Sequence, residues 1–265
     1  MKYQHIYGFG ASFTESSAWN LAAIPKEKRQ EVLNKLFHPI KGAGFSLTRT
    51  HINSCDYSNN HYDYVDWMDA SLVSFSIAED KRGFSGTEND QVRGVALPDS
   101  TYDLLPMIQQ AQAVEGADFK IIASAWSPPS WMKEGETATM TNGSIRPEYY
   151  GVWAKYLSKY LQSYQSEGVD IWALTPQNEP LHFHDARWDS NGFTKTQGRD
   201  FVKNHLGQQL AKDGWLNPEH LDTGLHILMY DHNKSAMNDY VQPTYEDSVA
   251  SSFVWGTAVH WYANS

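Results

Sequence analysis

Cysteine is nearly absent: Cys55 is the only one in 265 residues. A lone thiol closes no intrachain disulfide, so the fold rests on burial and needs no oxidising compartment. Positive charge is scarce as well, with 21 Lys and Arg against 31 Asp and Glu and a net charge of −10. No basic run occurs, which argues against nucleic acid and anionic membranes as partners, since both require clustered cations. No apolar run approaches the roughly 18 residues of a membrane span, and residues 1–20 lack the basic-then-apolar pattern of a secretion signal. The expectation is a chain without stable membrane insertion. It is cytoplasmic as written, and secreted or periplasmic if an N-terminal segment precedes it. Missing too are a GxSxG elbow, a P-loop and a dinucleotide-binding fingerprint.

What the chain does have is apolar and aromatic. Hydrophobic residues make up 41% and aromatics 14%, including ten Trp and fifteen Tyr. The first figure supports a sizeable core and excludes disorder. The second suits sugar recognition, because pyranose C–H faces are apolar while their hydroxyls project sideways. It equally suits the core of a large barrel.

Short apolar runs alternate with amphipathic stretches, the pattern of repeated βα units. Strands are expected at His5–Phe13, Phe45–Thr50, Phe119–Ala125, Ile171–Thr175, His226–Tyr230 and Thr257–His260. Helices are expected at Pro25–Phe37, Asp99–Val114 (with Asp99 and Ser100 as caps), Pro147–Glu167 and Thr194–Asp213, and partly over Asn233–Ser252. That makes about six units of an α/β fold, without linker or repeat. The reading for residues 1–265 is the N-terminal portion of a (β/α)8 TIM-barrel catalytic domain, two units short of closure.

In such barrels the chemistry collects at the carboxyl ends of the strands. Arg49, Thr50, His51, Asn53, Cys55 and Asp56 stand at or just after the end of one expected strand, Trp126, Ser127 and Trp131 after the next, and Gln177, Asn178 and Glu179 after the next. Asp231 and His232 follow, and then His260, Trp261 and Tyr262. Acids, amides and tryptophans without a Ser or Cys nucleophile fit glycosidic-bond chemistry. Glu179 stands out in WALTPQNEP, at the tip of a buried strand. Pro180 is expected to hold it in extended backbone, and partial burial to raise its pKa as a general acid requires.

Five segments, GFGASFTESSAWNL (8–21), SLTRTHINSCDYS (46–58), ASAWSPPSWMK (123–133), WALTPQNEP (172–180) and AVHWY (258–262), stand in the order seen in glycoside hydrolase family 30. The sequence resembles that family's glucosylceramidase-type branch from about residue 7 onward. The resemblance implies a (β/α)8 barrel with an attached β-sandwich, hydrolysis with retention, and no cofactor or metal. It implies that Glu179 is the acid/base and that Asn178 binds the substrate's 2-hydroxyl. Asp56 and Trp126 match positions that grip the sugar, while Arg49, His260 and Tyr262 match residues around the carboxylate pair. Asp231 matches a family position whose role is less clear. The implied partner is a β-glucoside or glucan, with glucosylceramide, β-1,6-glucan, xylosides and fucosides among family substrates. Two family parts are not found in residues 1–265. The nucleophilic Glu belongs to a seventh strand, whereas no Glu follows Glu246, and the β-sandwich segments are missing. The expectation is a fragment that is inactive alone.

Competing readings attach to several of these residues. The chain can instead be a truncated sugar-binding barrel without catalysis, with Asp56, Trp126 and Asn178 still holding a pyranose. A metal-assisted lyase built on Asp231, His232 and His260 is a third reading. His182 and His184 beside Asp185 lie in a loop without a third ligand at metal spacing, so they read as substrate-loop residues. Cys55 reads as a small packed residue rather than a nucleophile paired with His51. Trp126, followed by the rigid Pro128–Pro129 pair, is either a sugar platform or core. Glu134 and Glu136 read as solvated, and residues 69–91 as a long loop serving as lid or contact patch.

Overall fold

The computed structural model describes residues 3–84, 97, 99–135 and 139–262. The acidic, Gly-rich end of the 69–91 loop and Glu136 lie outside them. Contacts divide the chain into two compact units: Met1–Thr50, Tyr57–Asn59 and Ile77–Ile122 form one, and His51–Asp56, Asn60–Ser76 and Ala123–Ser265 the other.

The described residues form one five-stranded sheet: β1 (Leu47–Ile52), β2 (Lys120–Ala125), β3 (Ala173–Thr175), β4 (His226–Asn233) and β5 (Gly256–His260), in sequential order. β3 with β4, and β4 with β5, pair in parallel. Helices fill each connection: α3 (Leu104–Gln112) between β1 and β2, α4 (Tyr150–Ser166) before β3, α5 (Lys195–Phe201) and α6 (Gly207–Lys212) before β4, and α7 (Met237–Glu246) and α8 (Ser248–Ser251) before β5. Sequential parallel strands joined by helices are the succession of a (β/α)8 barrel, as the alternating pattern predicts. Among the described residues no helix is long and apolar enough to cross a membrane.

Three sequence expectations shift. His5–Phe13 forms no strand, and only Ser12 bridges to Arg49. Gly8 and Gly10 bring this segment against the start of β1 so closely that a Cβ on Gly10 would sit 1.9 Å from the Leu47 carbonyl oxygen. The sequence there instead builds α1 (Glu15–Ala22), capped by the Thr14 hydroxyl accepting from the Ser17 amide at 3.1 Å. The helix expected from Asp99 starts at Leu104, capped by Asp103 at 2.7 Å. Asp99 pairs instead with the buried Arg29 at 2.7 Å.

The first unit packs α1, α2 (Lys26–Phe37) and α3 around Phe13, Phe37 and Phe119, whose rings lie 4.9–5.7 Å apart. In the second unit α4 supplies Trp153, Tyr156, Tyr160 and Tyr164, all buried, with Tyr64 stacked on Tyr156 and Tyr160. Much of the aromatic excess is therefore core.

The first unit also buries carboxyls. Burial pushes Glu15 up from 4.5 to about 7 despite the Asn59 amide donating to it at 2.9 Å, and pushes Asp103 up to about 7. A carboxyl whose pKa is raised on folding adds stability at low pH that is lost as pH climbs through the folded value. Glu15→Gln keeps an acceptor for the Asn59 amide and removes the ionisation. In urea unfolding it should match the parent near about pH 4 and exceed it by about 1–3 kcal/mol near about pH 8. A difference that stays constant across that range would contradict this.

Candidate active site

The site starts from the way β3 ends. After the buried Ala173–Thr175, the Asn178 amide donates to the Ala125 carbonyl at the tip of β2 at 2.7 Å. One residue on, the Glu179 amide donates to the Asp231 carbonyl of β4 at 3.0 Å. Gln177 braces the turn, donating to the Trp126 and Asn178 carbonyls at 2.7 and 2.8 Å and accepting from Asn191 at 3.1 Å. Glu179 is not extended, as Pro180 suggested, but left-handed, with φ +47°. The proline mainly bars the right-handed helical region, and the bond to Asp231 decides among what remains.

β4 is irregular at the same level. Tyr230 pairs with Ala258 and His232 with Val259, so Asp231 is an extra residue, a β-bulge with φ +80° at Tyr230 and +53° at Asp231. Bulges re-aim side chains beside functional sites. Here Asp231 gives its carbonyl to Glu179 and its buried carboxylate to two donors. Thr175 Oγ1 lies 2.6 Å from Asp231 Oδ2 and 2.7 Å from Ser124 Oγ. The carboxylate only accepts, so Thr175 donates to Asp231 and Ser124 donates to Thr175. Asp231 Oδ1 lies 3.0 Å from His260 Nε2.

β5 delivers His260, and Tyr262 follows. His260 Nδ1 lies 3.0 Å from Glu179 Oε1, and the Tyr262 hydroxyl donates to the same oxygen. A ring protonated on both nitrogens satisfies both carboxylates, giving the series Asp231–His260–Glu179. His232 Nδ1 stands 3.7 Å from Glu179 Oε1, an ion-pair distance rather than a hydrogen bond, and has no hydrogen-bond partner among the described residues. Among those residues every contact to the Glu179 carboxylate falls on Oε1. Burial works to raise the Glu179 pKa, but the His232, His260 and Tyr262 side chains outweigh it and hold the carboxyl well below its usual range. The expected upward shift is therefore reversed.

Of the residues singled out in the sequence, Glu179, His260 and Tyr262 are brought together, with Asp231 joining through His260. Asn178 is buried beside Glu179 in the chain, and Trp126 is buried directly after β2 with His51 edge-on at 6.4 Å. Asp56 is exposed after β1, while Arg49 sits on β1 in the first unit, its carbonyl accepting from Phe13 at 2.7 Å. The pattern gave no sign of Thr175 and Ser124, whose hydroxyls read as ordinary strand residues. Asn53, one of the polar residues expected at the end of the strand before Asp56, is left-handed and donates to the Ser127 carbonyl at 3.0 Å, fixing the loop after Trp126. Lys133 ties that loop to the Met140 and Ser190 carbonyls at 2.9 and 2.6 Å. Metal-ligand geometry among the described residues falls at Glu179, His232 and His260, not at His182 and His184.

Sequential parallel β/α units with a carboxylate and its donors at the strand tips define a barrel-type enzyme fold. The glycosyl hydrolase family 30 TIM-barrel domain matches residues 6–265, and the chain belongs to that family. It is 30% identical to putative glucosylceramidase 4 of Caenorhabditis elegans, over 98% of this chain and 46% of the relative. It is 33% identical to an endo-1,6-β-D-glucanase of Neurospora crassa, over 99% and 49%. The solved structure of an endo-β1,6-glucanase superposes with a TM-score of 0.80 at 30% identity, covering 99% of this chain and 53% of that one. The chain thus spans about half the length of the curated relatives it matches.

Tyr262→Phe removes one of the groups that hold Glu179 ionised. The Glu179 carboxyl should then titrate at higher pH than in the parent, read by 13C NMR of labelled glutamate. An unchanged titration would show that His260 and His232 alone set the ionisation.

Proposed function

We propose that the protein is a retaining β-glycoside hydrolase in which Glu179 is the acid/base. One observation carries the reading: a family 30 chain presents, at the tip of β3, a carboxylate held on one oxygen by Tyr262 and His260. Among the described residues the hydrogen bonds and ion pairs of the Glu179 carboxylate fall on Oε1, which leaves the other oxygen to approach a glycosidic bond. In the first step Glu179 protonates the departing oxygen while a carboxylate attacks C1; in the second it takes a proton from water. Asp231 is a poor nucleophile, since Thr175 and His260 engage both its oxygens. The nucleophile is accordingly a carboxylate other than Asp231. A second carboxylate about 5–5.5 Å from Glu179 would also raise its pKa by like-charge repulsion and offset the donors, so that the acid is protonated when substrate binds.

The substrate class is a β-glucoside. A glucosylceramidase and an endo-1,6-β-glucanase, by their names, act on different aglycones, and a β-linked glucosyl unit is what such substrates share. A glucosylceramide-type substrate is the finer reading, supported by the motif order of residues 8–262. Asn178, Asp56 and Trp126 would contact the sugar, with Arg49 near the nucleophile. No step of this mechanism uses a metal or cofactor.

Glu179→Gln in the whole protein should cut turnover of unactivated β-glucosides by about 10²–10⁴-fold, the usual contribution of a positioned acid/base. An aryl glucoside with a good leaving group needs no protonation, so its first step should suffer less. Added azide, a nucleophile that needs no base, should restore the second step and yield the β-glucosyl azide. Turnover of the natural glucoside at the parental rate would remove Glu179 from the role.

A further inference from the structure

His232 has no part in the mechanism above, yet it is placed as a ligand would be. It follows the bulged Asp231, it is largely buried, and its Nδ1 has no hydrogen-bond partner among the described residues. A ring nitrogen of His232, a ring nitrogen of His260 and a Glu179 carboxylate oxygen lie within 4.8 Å of one another. Tetrahedral zinc with bonds of about 2.0–2.1 Å spaces its ligand atoms about 3.3–3.4 Å apart. The separations from Glu179 Oε1, 3.0 Å to His260 Nδ1 and 3.7 Å to His232 Nδ1, straddle that spacing. A second observation comes from the far side of the His260 ring. Its Nε2 faces the Asp231 carboxylate at 3.0 Å, and Asp231 is itself fixed by Thr175. Metal-ligating histidines almost always donate the remote N–H to a carboxylate, a backbone carbonyl or water, which orients the ring and makes it a more basic ligand.

We propose that Glu179, His232 and His260 bind a zinc-class divalent cation, and that its binding switches off the Glu179 carboxyl. Two imidazoles and one carboxylate select zinc, copper, nickel or cobalt over magnesium and calcium, which prefer all-oxygen shells. Water completes the fourth position. The cation takes the lone pair of His260 Nδ1, whose proton leaves to solvent, and it displaces the Tyr262 hydroxyl from Glu179 Oε1. Glu179 can then neither carry a proton to a leaving group nor accept one from water. The cation is an inhibitor rather than a resident cofactor. The binding site stands on geometry alone; only the inhibition rests on the acid/base reading of Glu179.

The test uses the whole protein stripped with chelator, then titrated with Co²⁺ followed by visible absorption and with Zn²⁺ followed by calorimetry. One equivalent of Co²⁺ should give the intense d–d bands of a four-coordinate site, and Zn²⁺ should displace it, while Ca²⁺ and Mg²⁺ should not. His232→Ala should weaken Zn²⁺ by more than tenfold, and Asp231→Asn, by loosening the His260 ring, by about 10–100-fold. His184→Ala, in the exposed loop after β3, should leave binding unchanged. Zn²⁺ should abolish aryl β-glucoside hydrolysis, and chelator should restore it. The parent spectrum decides the matter even where a variant folds poorly. No saturable Co²⁺ or Zn²⁺ binding by the parent at millimolar metal, or equal affinity in a folded His232→Ala, would overturn the site. Metal binding with Glu179→Gln fully active would leave the site standing and remove the acid/base reading; the opposite pair of results would do the reverse.

Discussion

The amide of Glu179 donates to the carbonyl of Asp231 across 3.0 Å, joining two residues whose φ angles are +47° and +53°. Neither is glycine, and left-handed backbone at such residues costs on the order of 1–3 kcal/mol each. Such a conformation persists only where its surroundings fix it from several sides. Here Asn178 is tied to the tip of β2, Gln177 is locked between Trp126 and Asn191, and Asp231 is held by Thr175 and His260. Break the bulge and β4 regains regular pairing with β5. Asp231 would then lose its place opposite Glu179, and the carboxylate at the tip of β3 would lose its position.

The charge arrangement follows from that backbone. An imidazole between two carboxylates, with a hydroxyl pair beneath one and a phenol beside the other, forms a polar string whose carboxylates and imidazole are largely removed from water while the phenol of Tyr262 stays exposed. In such surroundings each hydrogen bond is worth more, and each missing partner costs more. The string therefore fixes both the orientation and the ionisation of Glu179. In the proposed mechanism a second negative charge would oppose this clamp, and the two influences together would bring the proton affinity of Glu179 back toward the working range.

Much of the frame was legible in the sequence because it depends on local pattern. Continuous apolar runs gave β2 and β4, the 3.6-residue spacing gave α4, and reading the residues beyond each run brought Glu179, Asp231, His260 and Tyr262 into one set. What was not legible depends on partners distant in the chain. Pro180 narrows the options for Glu179 but does not choose among them; Asp231 does. A bulge is a mismatch between two strands and leaves no mark on either alone. Local sequence shows the burial of Glu179, which alone raises its pKa, whereas the groups that lower it, His232, His260 and Tyr262, come from β4, β5 and the residues just after β5. Asp103 caps α3 in place of Asp99 because Asp99 is drawn to the buried Arg29. The segment before α1 reads as a strand by composition, yet its two glycines press it too near β1 to build a ladder.

The central claim is that Glu179 is one half of a retaining carboxylate pair whose other half is not Asp231. The most direct measurement is a crystal structure of the whole protein after reaction with a 2-deoxy-2-fluoro-β-glucosyl fluoride, which traps the glycosyl-enzyme. The account predicts the sugar bonded through C1 to a carboxylate other than Asp231, with that carboxyl about 5–5.5 Å from Glu179 and Glu179 still held by Tyr262 and His260. A sugar bonded to Asp231, or a pair of carboxyls about 6.5–9.5 Å apart with no covalent adduct, would contradict it.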